Sequence, residues 1–367
     1  MAGRIVLFGA TGYTGDLTAR AMVQRGLRPA LAGRDGDRLQ ALAGELGGLS
    51  TLVADVKRPD SVRALVERGD VLVTTVGPFA QWGAPAVEAA AAGGAHYLDA
   101  AGEPEFIRAV FERHGPRAEA VGCGLVTAFG YDWVPGNLAG ALALREAGEA
   151  AASVEIGYFA PGSSVARSLS PGTRATMVAI MLQPAFAWRA GRLVTVPGGS
   201  KWRTFDLPTG PAEALSVGAS EHFTLPRLAP GLRDVTVYIG WLGRASRPSQ
   251  MLMLASSLAT GVPGVKEGML GFTEIIAKAA PGGPGPDARA QTRSLVVAEV
   301  RDDSGELLSS VRLEGINPYE LSARLLAWGA EAAAAGSLRG TGALGPVDAF
   351  GLEVLETAVV DAGMRRT

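Results

Sequence analysis

The sequence has one cysteine and three histidines in 367 residues. Cys123 cannot form an internal disulfide, so a reducing compartment is expected and stability must come from burial. A chain of this length can bury about three quarters of its unfolded surface without staples. His96, His114 and His222 stand far apart, and with one cysteine they offer no metal-ligand spacing. Positive charge is not in excess: 34 Lys and Arg face 36 Asp and Glu, for a net charge of −2. That balance lacks the footprint nucleic-acid binding requires. Lysine is scarce, with only Lys57, Lys201, Lys266 and Lys278, so a lysine general acid has few candidates. The apolar stretch Met251 to Val265 is interrupted by Gly261, Pro263 and Gly264, too early for a membrane span. The chain runs from Met1 to an apolar segment at Ile5 without a signal-peptide pattern, so a cytoplasmic protein is expected.

Apolar residues make up 47% and charged residues 19%, a globular composition with room for two domains or one large one. Glycine, at 50 residues, is about twice its usual share. Much of it falls between apolar runs, which suits a backbone that folds closely around phosphates.

The first 130 residues alternate short apolar runs with amphipathic stretches, the pattern of a parallel α/β sheet. Strands are predicted at Ile5–Phe8, Ala30–Ala32, Leu49–Ala54, Val71–Val76, Tyr97–Leu98 and Leu125–Ala128. Six strands with helical crossovers match a doubly wound (Rossmann) dinucleotide-binding sheet. After about Ala151 the rhythm changes to antiparallel-like alternation, at Ser153–Phe159, Asp234–Leu242, Ser294–Glu299 and Leu307–Leu313. A long buried helix, broken near Pro184, is predicted over Thr173–Trp188. Two helices, Pro318–Ala335 and Pro346–Ala362, close the chain. The expected organisation is α/β: a Rossmann domain of residues 1–135 and 318–367, and a second α+β domain of residues 136–317 with a mixed or antiparallel sheet.

Gly9-Ala10-Thr11-Gly12-Tyr13-Thr14-Gly15 ends the first strand and opens the first helix, a variant of the dinucleotide fingerprint. Gly9 allows the tight turn, Gly12 lets the backbone approach a diphosphate, and Gly15 lets the helix pack on the sheet. Thr11, Tyr13 and Thr14 complete this phosphate site, where the helix N-terminus solvates the charge. Arg34 follows the second strand at the position that decides between NAD and NADP. A guanidinium there favours a 2′-phosphate, and Asp35 reads as the cap of the next helix. Asp55, after the third strand, is placed either to reach the adenine edge or to cap a helix. Val76, Gly77 and Pro78, after the fourth, either border the nicotinamide or form a plain turn.

These motifs, with His96-Tyr97-Leu98-Asp99, Gly102-Glu103 and Phe129-Gly130-Tyr131-Asp132-Trp133-Val134-Pro135, resemble the saccharopine dehydrogenase-like NADP-binding family. More narrowly they resemble its actinobacterial branch of trans-acting enoyl reductases. The likeness covers residues 1 to about 145, and Gly342-Ala343-Leu344-Gly345-Pro346 is similar as well. It implies NADP(H) binding, an inserted α/β substrate domain and a C-terminal return to the first domain. This chain has Gly315-Ile316-Asn317-Pro318-Tyr319-Glu320 where saccharopine reductases carry a different glycine-rich segment, which weakens imine substrates. Tyr131 and Trp133 stand where the family usually has phenylalanine and serine.

Hydride transfer to C=C or C=N needs a proton donor. Tyr131 and Asp132, after the sixth strand, are the first candidates, against roles as packed aromatic and helix cap. Tyr97, Asp99 and Glu103 come second, and His222 is a lone histidine of the second domain. Met177, Met181, Phe186 and Trp188 would line an apolar site or belong to the core. The leading expectation is an NADPH-dependent reductase of enoyl or enone groups on a lipid- or polyketide-like substrate, small or carrier-bound. Imine reduction and non-catalytic NADP sensing stay open, as does a homodimer. The substrate is expected in a cleft between the two domains.

Overall fold

A computed structural model describes residues 3–161, 170, 173–174, 184–241, 246–247, 250 and 282–367. The chain divides into two compact units, Met1–Gly102 with Phe106–Val134 and Pro318–Gly363, and Glu103–Glu105 with Pro135–Asn317 and Met364–Thr367.

The first unit is built on β1 (Ile5–Phe8), β2 (Ala30–Gly33), β3 (Thr51–Val53), β4 (Val71–Thr74), β5 (His96–Asp99) and β6 (Gly124–Val126). All pair parallel in the order β6-β5-β4-β1-β2-β3. Every residue of β1, β2 and β4 is buried, as central parallel strands covered on both faces must be. A seventh strand, Gly342–Ala343, joins the β6 edge in parallel register. Two residues make no apolar run, which is why periodicity yields only six strands. The order reverses between β1 and β4, so ligands are expected beyond the carboxyl ends of those two strands.

The helix Pro318–Ala334 belongs to this unit and packs on the helix Tyr13–Gln24, where Tyr13 and Tyr319 meet edge to face at 5.0 Å. The single closing helix expected over Pro346–Ala362 is two helices, Pro346–Phe350 and Leu352–Asp361. Gly351 divides them at φ +83°, and a Cβ there would lie 2.1 Å from Arg339 Nη1. Among the described residues no helix is long and apolar enough to cross a membrane.

The second unit holds β7 (Ser153–Phe159), β8 (Ala185–Arg189), β9 (Arg192–Val196), β10 (Trp202–Leu207), β11 (Gly210–Val217), β12 (Asp234–Ile239), β13 (Ser294–Arg301) and β14 (Leu307–Gly315). The sheet runs β10-β11-β12-β7-β13-β14, with Met364–Arg366 added to β14. Only β12–β7 is parallel, so the sheet is mixed. One face of β7, Val154, Ile156 and Tyr158, is fully buried. The other carries Phe159, clustered with Phe205, Ala214, Tyr238 and Leu295.

The helix predicted over Thr173–Trp188 is corrected at its C-terminal end. Phe186 and Trp188 lie in β8, which turns through Ala190-Gly191 into β9. Pro184 cannot continue a helix, and the turn after Arg189 makes a hairpin that raw apolarity hides. Met177, Val178, Ile180, Met181, Leu182 and Met251–Val265 lie outside the described residues.

Candidate nucleotide site and proton-donor loop

The turn after β1 is closed by backbone bonds: Gly9 N–H and Ala10 N–H both donate to Ala32 O, at 2.8 and 3.2 Å. Gly9 sits at φ +91°, and a Cβ on it would meet Thr75 Oγ1 and Val76 Cγ2 at 2.8 Å. Gly15 is tighter: a Cβ would lie 2.1 Å from Gly9 O and 2.9 Å from Ala10 Cα. Gly12, the N-cap of the helix Tyr13–Gln24, is exposed, and its Cβ would meet only Gly9 O, at 3.2 Å. Two glycines are thus demanded by the protein's own packing. The third leaves an open cradle at a helix N-terminus, where the first N–H groups lack intrahelical acceptors. That geometry fits a dinucleotide diphosphate.

At the end of β2, Arg34 is exposed. Asp35 caps the helix Gly36–Glu45, accepting from Arg38 N–H at 3.1 Å. Asp55 forms a turn, Oδ1 accepting from Lys57 N–H at 3.0 Å, while the cap of the next helix is Arg58. Lys57 Nζ stands 5.9 Å over the ring of Trp82, a cation–π pair that no sequence motif signals. After β4, Thr75 N–H donates to Phe8 O at 2.9 Å and Thr75 Oγ1 to Gly9 O at 3.2 Å. These bonds tie the Val76-Gly77-Pro78 segment to the glycine turn across the β1/β4 switch point. Gly77-Pro78 is a cis peptide, with Gly77 exposed and Val76 and Pro78 half-buried.

The second-choice donors Tyr97, Asp99 and Glu103 are all fully buried. Asp99 is fastened on every side: Oδ1 accepts from Ala101 N–H (2.8 Å) and Ala128 N–H (2.7 Å), and Oδ2 from Thr127 Oγ1 (2.8 Å). Burial raises its pKa to about 6 despite those donors. Its role is to hold the turn after β6, where Ala128 takes φ +60° and Phe129 N–H returns to Asp99 O at 2.7 Å.

The following residues are positioned from the far end of the chain. Tyr131 N–H donates to Ser322 Oγ at 2.8 Å, and Ser322 Oγ–H donates to Pro318 O at 2.8 Å. Phe129 stacks on Trp328 at 6.1 Å, over Gly329, where a Cβ would lie 2.5 Å from the Phe129 ring. Tyr131 is 2% exposed, whereas Asp132 is half-buried and joined to Trp133 by a cis peptide. Ser322, Trp328 and Gly329 are the residues that sequence reasoning missed. Ser322→Ala is expected to lower thermal stability by about 1–3 kcal/mol, because it strands the Tyr131 N–H inside the protein. Denaturant unfolding of the variant measures it.

His222 is 1% exposed and edge to face with Phe186, and burial depresses its pKa to about 4. It is a neutral core residue. Cys123 is buried, as its sequence context suggests. Among the described residues no three His, Cys, Asp or Glu side chains could hold a metal ion.

Residues 5–123 match the family model of the saccharopine dehydrogenase NADP binding domain. Over this segment the chain is similar to the saccharopine dehydrogenase-like NADP-binding family. The NADP-binding domain carries the whole glycine loop together with Arg34, Asp55 and the Val76–Pro78 segment. Curated relatives include a trans-acting enoyl reductase of Mycobacterium ulcerans, 34% identical over 242 residues, 62% of this chain and 55% of that protein. Another, from Mycobacterium leprae, is 40% identical over 140 residues, 36% of this chain and 34% of its own length. The chain thus spans about half or less of the length of these relatives. Apo saccharopine dehydrogenase (L-Glu forming) from Saccharomyces cerevisiae shares the fold, with a TM-score of 0.60 at 13% identity, over 100% of this chain and 99% of that one. The match to an NADP binding domain over residues 5–123 supports NADP(H) binding by the first unit.

Proposed function

We propose that the chain is an NADPH-dependent reductase that acts on an activated carbon–carbon double bond, of enoyl or enone type, in a lipid- or polyketide-like substrate. The observation that carries this reading is the likeness to trans-acting enoyl reductases over 242 residues, longer than the NADP-binding domain match itself. The bound nicotinamide supplies the hydride. Gly9, Thr11, Gly12, Tyr13, Thr14 and Gly15 hold the diphosphate, and Arg34 pairs with the 2′-phosphate. Asp55 faces the adenosine, and Val76, Gly77 and Pro78 border the nicotinamide half. Each reduced double bond also needs a proton at the neighbouring carbon, which we assign to the Tyr131–Asp132 pair. Of the two, Asp132 is the more accessible. The substrate is small or carrier-bound and apolar, and the protein works in the cytoplasm.

The test is NADPH oxidation by the full chain with a conjugated enone and an enoyl thioester, with the saturated analogues as blanks. Turnover with the unsaturated compounds alone is the expected result. Bound NADPH that stays unoxidised across enoyl and imine panels would overturn the reading in favour of a sensor. Where turnover occurs, Tyr131→Phe and Asp132→Asn separate the donors: loss of the donor lowers kcat and leaves NADPH affinity unchanged.

A further inference from the structure

Arg38 occupies the third helical position after the Asp35 cap, and its side chain crosses to the glycine loop, where Nη2 donates to Thr11 O at 2.9 Å. The geometry points to Arg38 as a second specificity-determining residue: one guanidinium shared between the Thr11 carbonyl and the 2′-phosphate of NADP(H). This inference rests on the NADP(H)-binding reading of the site and extends it beyond Arg34.

Three observations carry it. Thr11 lies between Gly9 and Gly12, in the turn fastened to β2 through Ala32 O, so its carbonyl marks where the glycine loop faces the end of β2. The 2′-hydroxyl position of a bound dinucleotide is read from the end of that strand. Arg34 is the first residue after β2, exposed and with no hydrogen bond or ion pair among the described residues. Arg38 is exposed too, and a guanidinium has five N–H donors in a planar fork. One is committed to Thr11, which leaves the others for a second acceptor.

Charge supports the same assignment. A phosphate monoester carries close to two negative charges at neutral pH, more than one guanidinium balances. Arg34 and Arg38 bracket the position from either side of Asp35. The acid that would otherwise favour a ribose 2′-hydroxyl is Asp35, and its Oδ1 is turned to the Arg38 N–H. The other nearby carboxylate, Asp37, is exposed. Arg38 therefore links the two halves of the site. It steadies the loop that holds the diphosphate, and the 2′-phosphate in turn fixes Arg38.

The experiment titrates the full chain with 2′,5′-ADP and with 5′-AMP, which differ only in the 2′-phosphate, and needs no substrate. Arg38→Ala is expected to weaken 2′,5′-ADP about tenfold, the loss of one charge-assisted contact, and to change 5′-AMP less than about twofold. Arg34→Ala is the positive control, and Arg38→Lys, which keeps charge without the fork, should fall between wild type and Arg38→Ala. Equal weakening of both nucleotides would make Arg38 a loop tether only and overturn the inference, as would no change in either. Discrimination without enoyl turnover would sink the proposed activity and leave this assignment standing.

Discussion

Gly12→Ala should leave the NADP-binding domain folded and weaken NADPH by about a hundredfold, the equivalent of two charge-assisted hydrogen bonds to phosphate. Gly12 has φ −80° and ψ 168°, an extended conformation any residue adopts. Its added methyl would touch only the Gly9 carbonyl, at 3.2 Å. What that methyl would occupy is the open side of the turn, where a diphosphate must come close to the backbone. Gly15→Ala makes the opposite case. There the Cβ would sit 2.1 Å from Gly9 O with Gly9 C at 2.8 Å, all backbone atoms that cannot rotate away. Alanine gains about 1 kcal/mol over glycine in a helix, but the overpacking costs about 1–3 kcal/mol or more. Thermal melting beside an NADPH fluorescence titration separates the two variants. A Gly12→Ala protein that binds like wild type would remove the glycine loop from the cofactor site, and one that melts far below wild type would make Gly12 a packing glycine like Gly15.

That contrast also marks how far the site was legible in the sequence. The glycine loop, Arg34 and the Asp35 cap are local patterns, each within a few residues of a strand end, and the fold inherits them directly. Asp99 was visible as a carboxylate at a strand end. Whether such a group meets solvent or three buried donors is decided by Thr127 and Ala128, about 28 residues away. The loop carrying Tyr131 and Asp132 is set by Ser322, 191 residues downstream, and by the gap above Gly329. A glycine in mid-helix and a serine near a helix start carry no mark of the partner they serve. The β8–β9 hairpin was hidden for another reason: apolar residues run together there, and turn chemistry at Ala190-Gly191, rather than hydrophobicity, sets the element. Periodicity identifies elements that bury one face, and it is silent on short edge strands such as Gly342–Ala343.

The two units should respond to acid in opposite senses. Asp99 has a folded-state pKa raised to about 6 by burial, above the usual value near 4 for an unfolded aspartate. Between those values the folded first unit binds the extra proton, so stability from this group rises as pH falls from about 6 to about 4. His222 works the other way in the second unit. Its folded pKa is depressed to about 4 by burial, below the unfolded value near 6.5. Its contribution is complete above about pH 6.5 and is lost as the unfolded state takes up the proton on the way down to pH 4. Each shift spans a little over two pKa units, so each is worth about 3 kcal/mol at full titration. Asp99→Asn keeps a short polar group beside Thr127 and Ala128 while removing the titration. Denaturant unfolding from pH 7 to pH 4 should then show the variant losing about 3 kcal/mol relative to wild type on the acid side. His222→Asn should show the reverse, a variant that tolerates acid better than wild type once its pH-independent cavity cost is subtracted. Parallel pH profiles for wild type and Asp99→Asn would mean that Asp99 is solvated in the folded protein, and that the turn before Tyr131 is held by something other than a buried carboxylate.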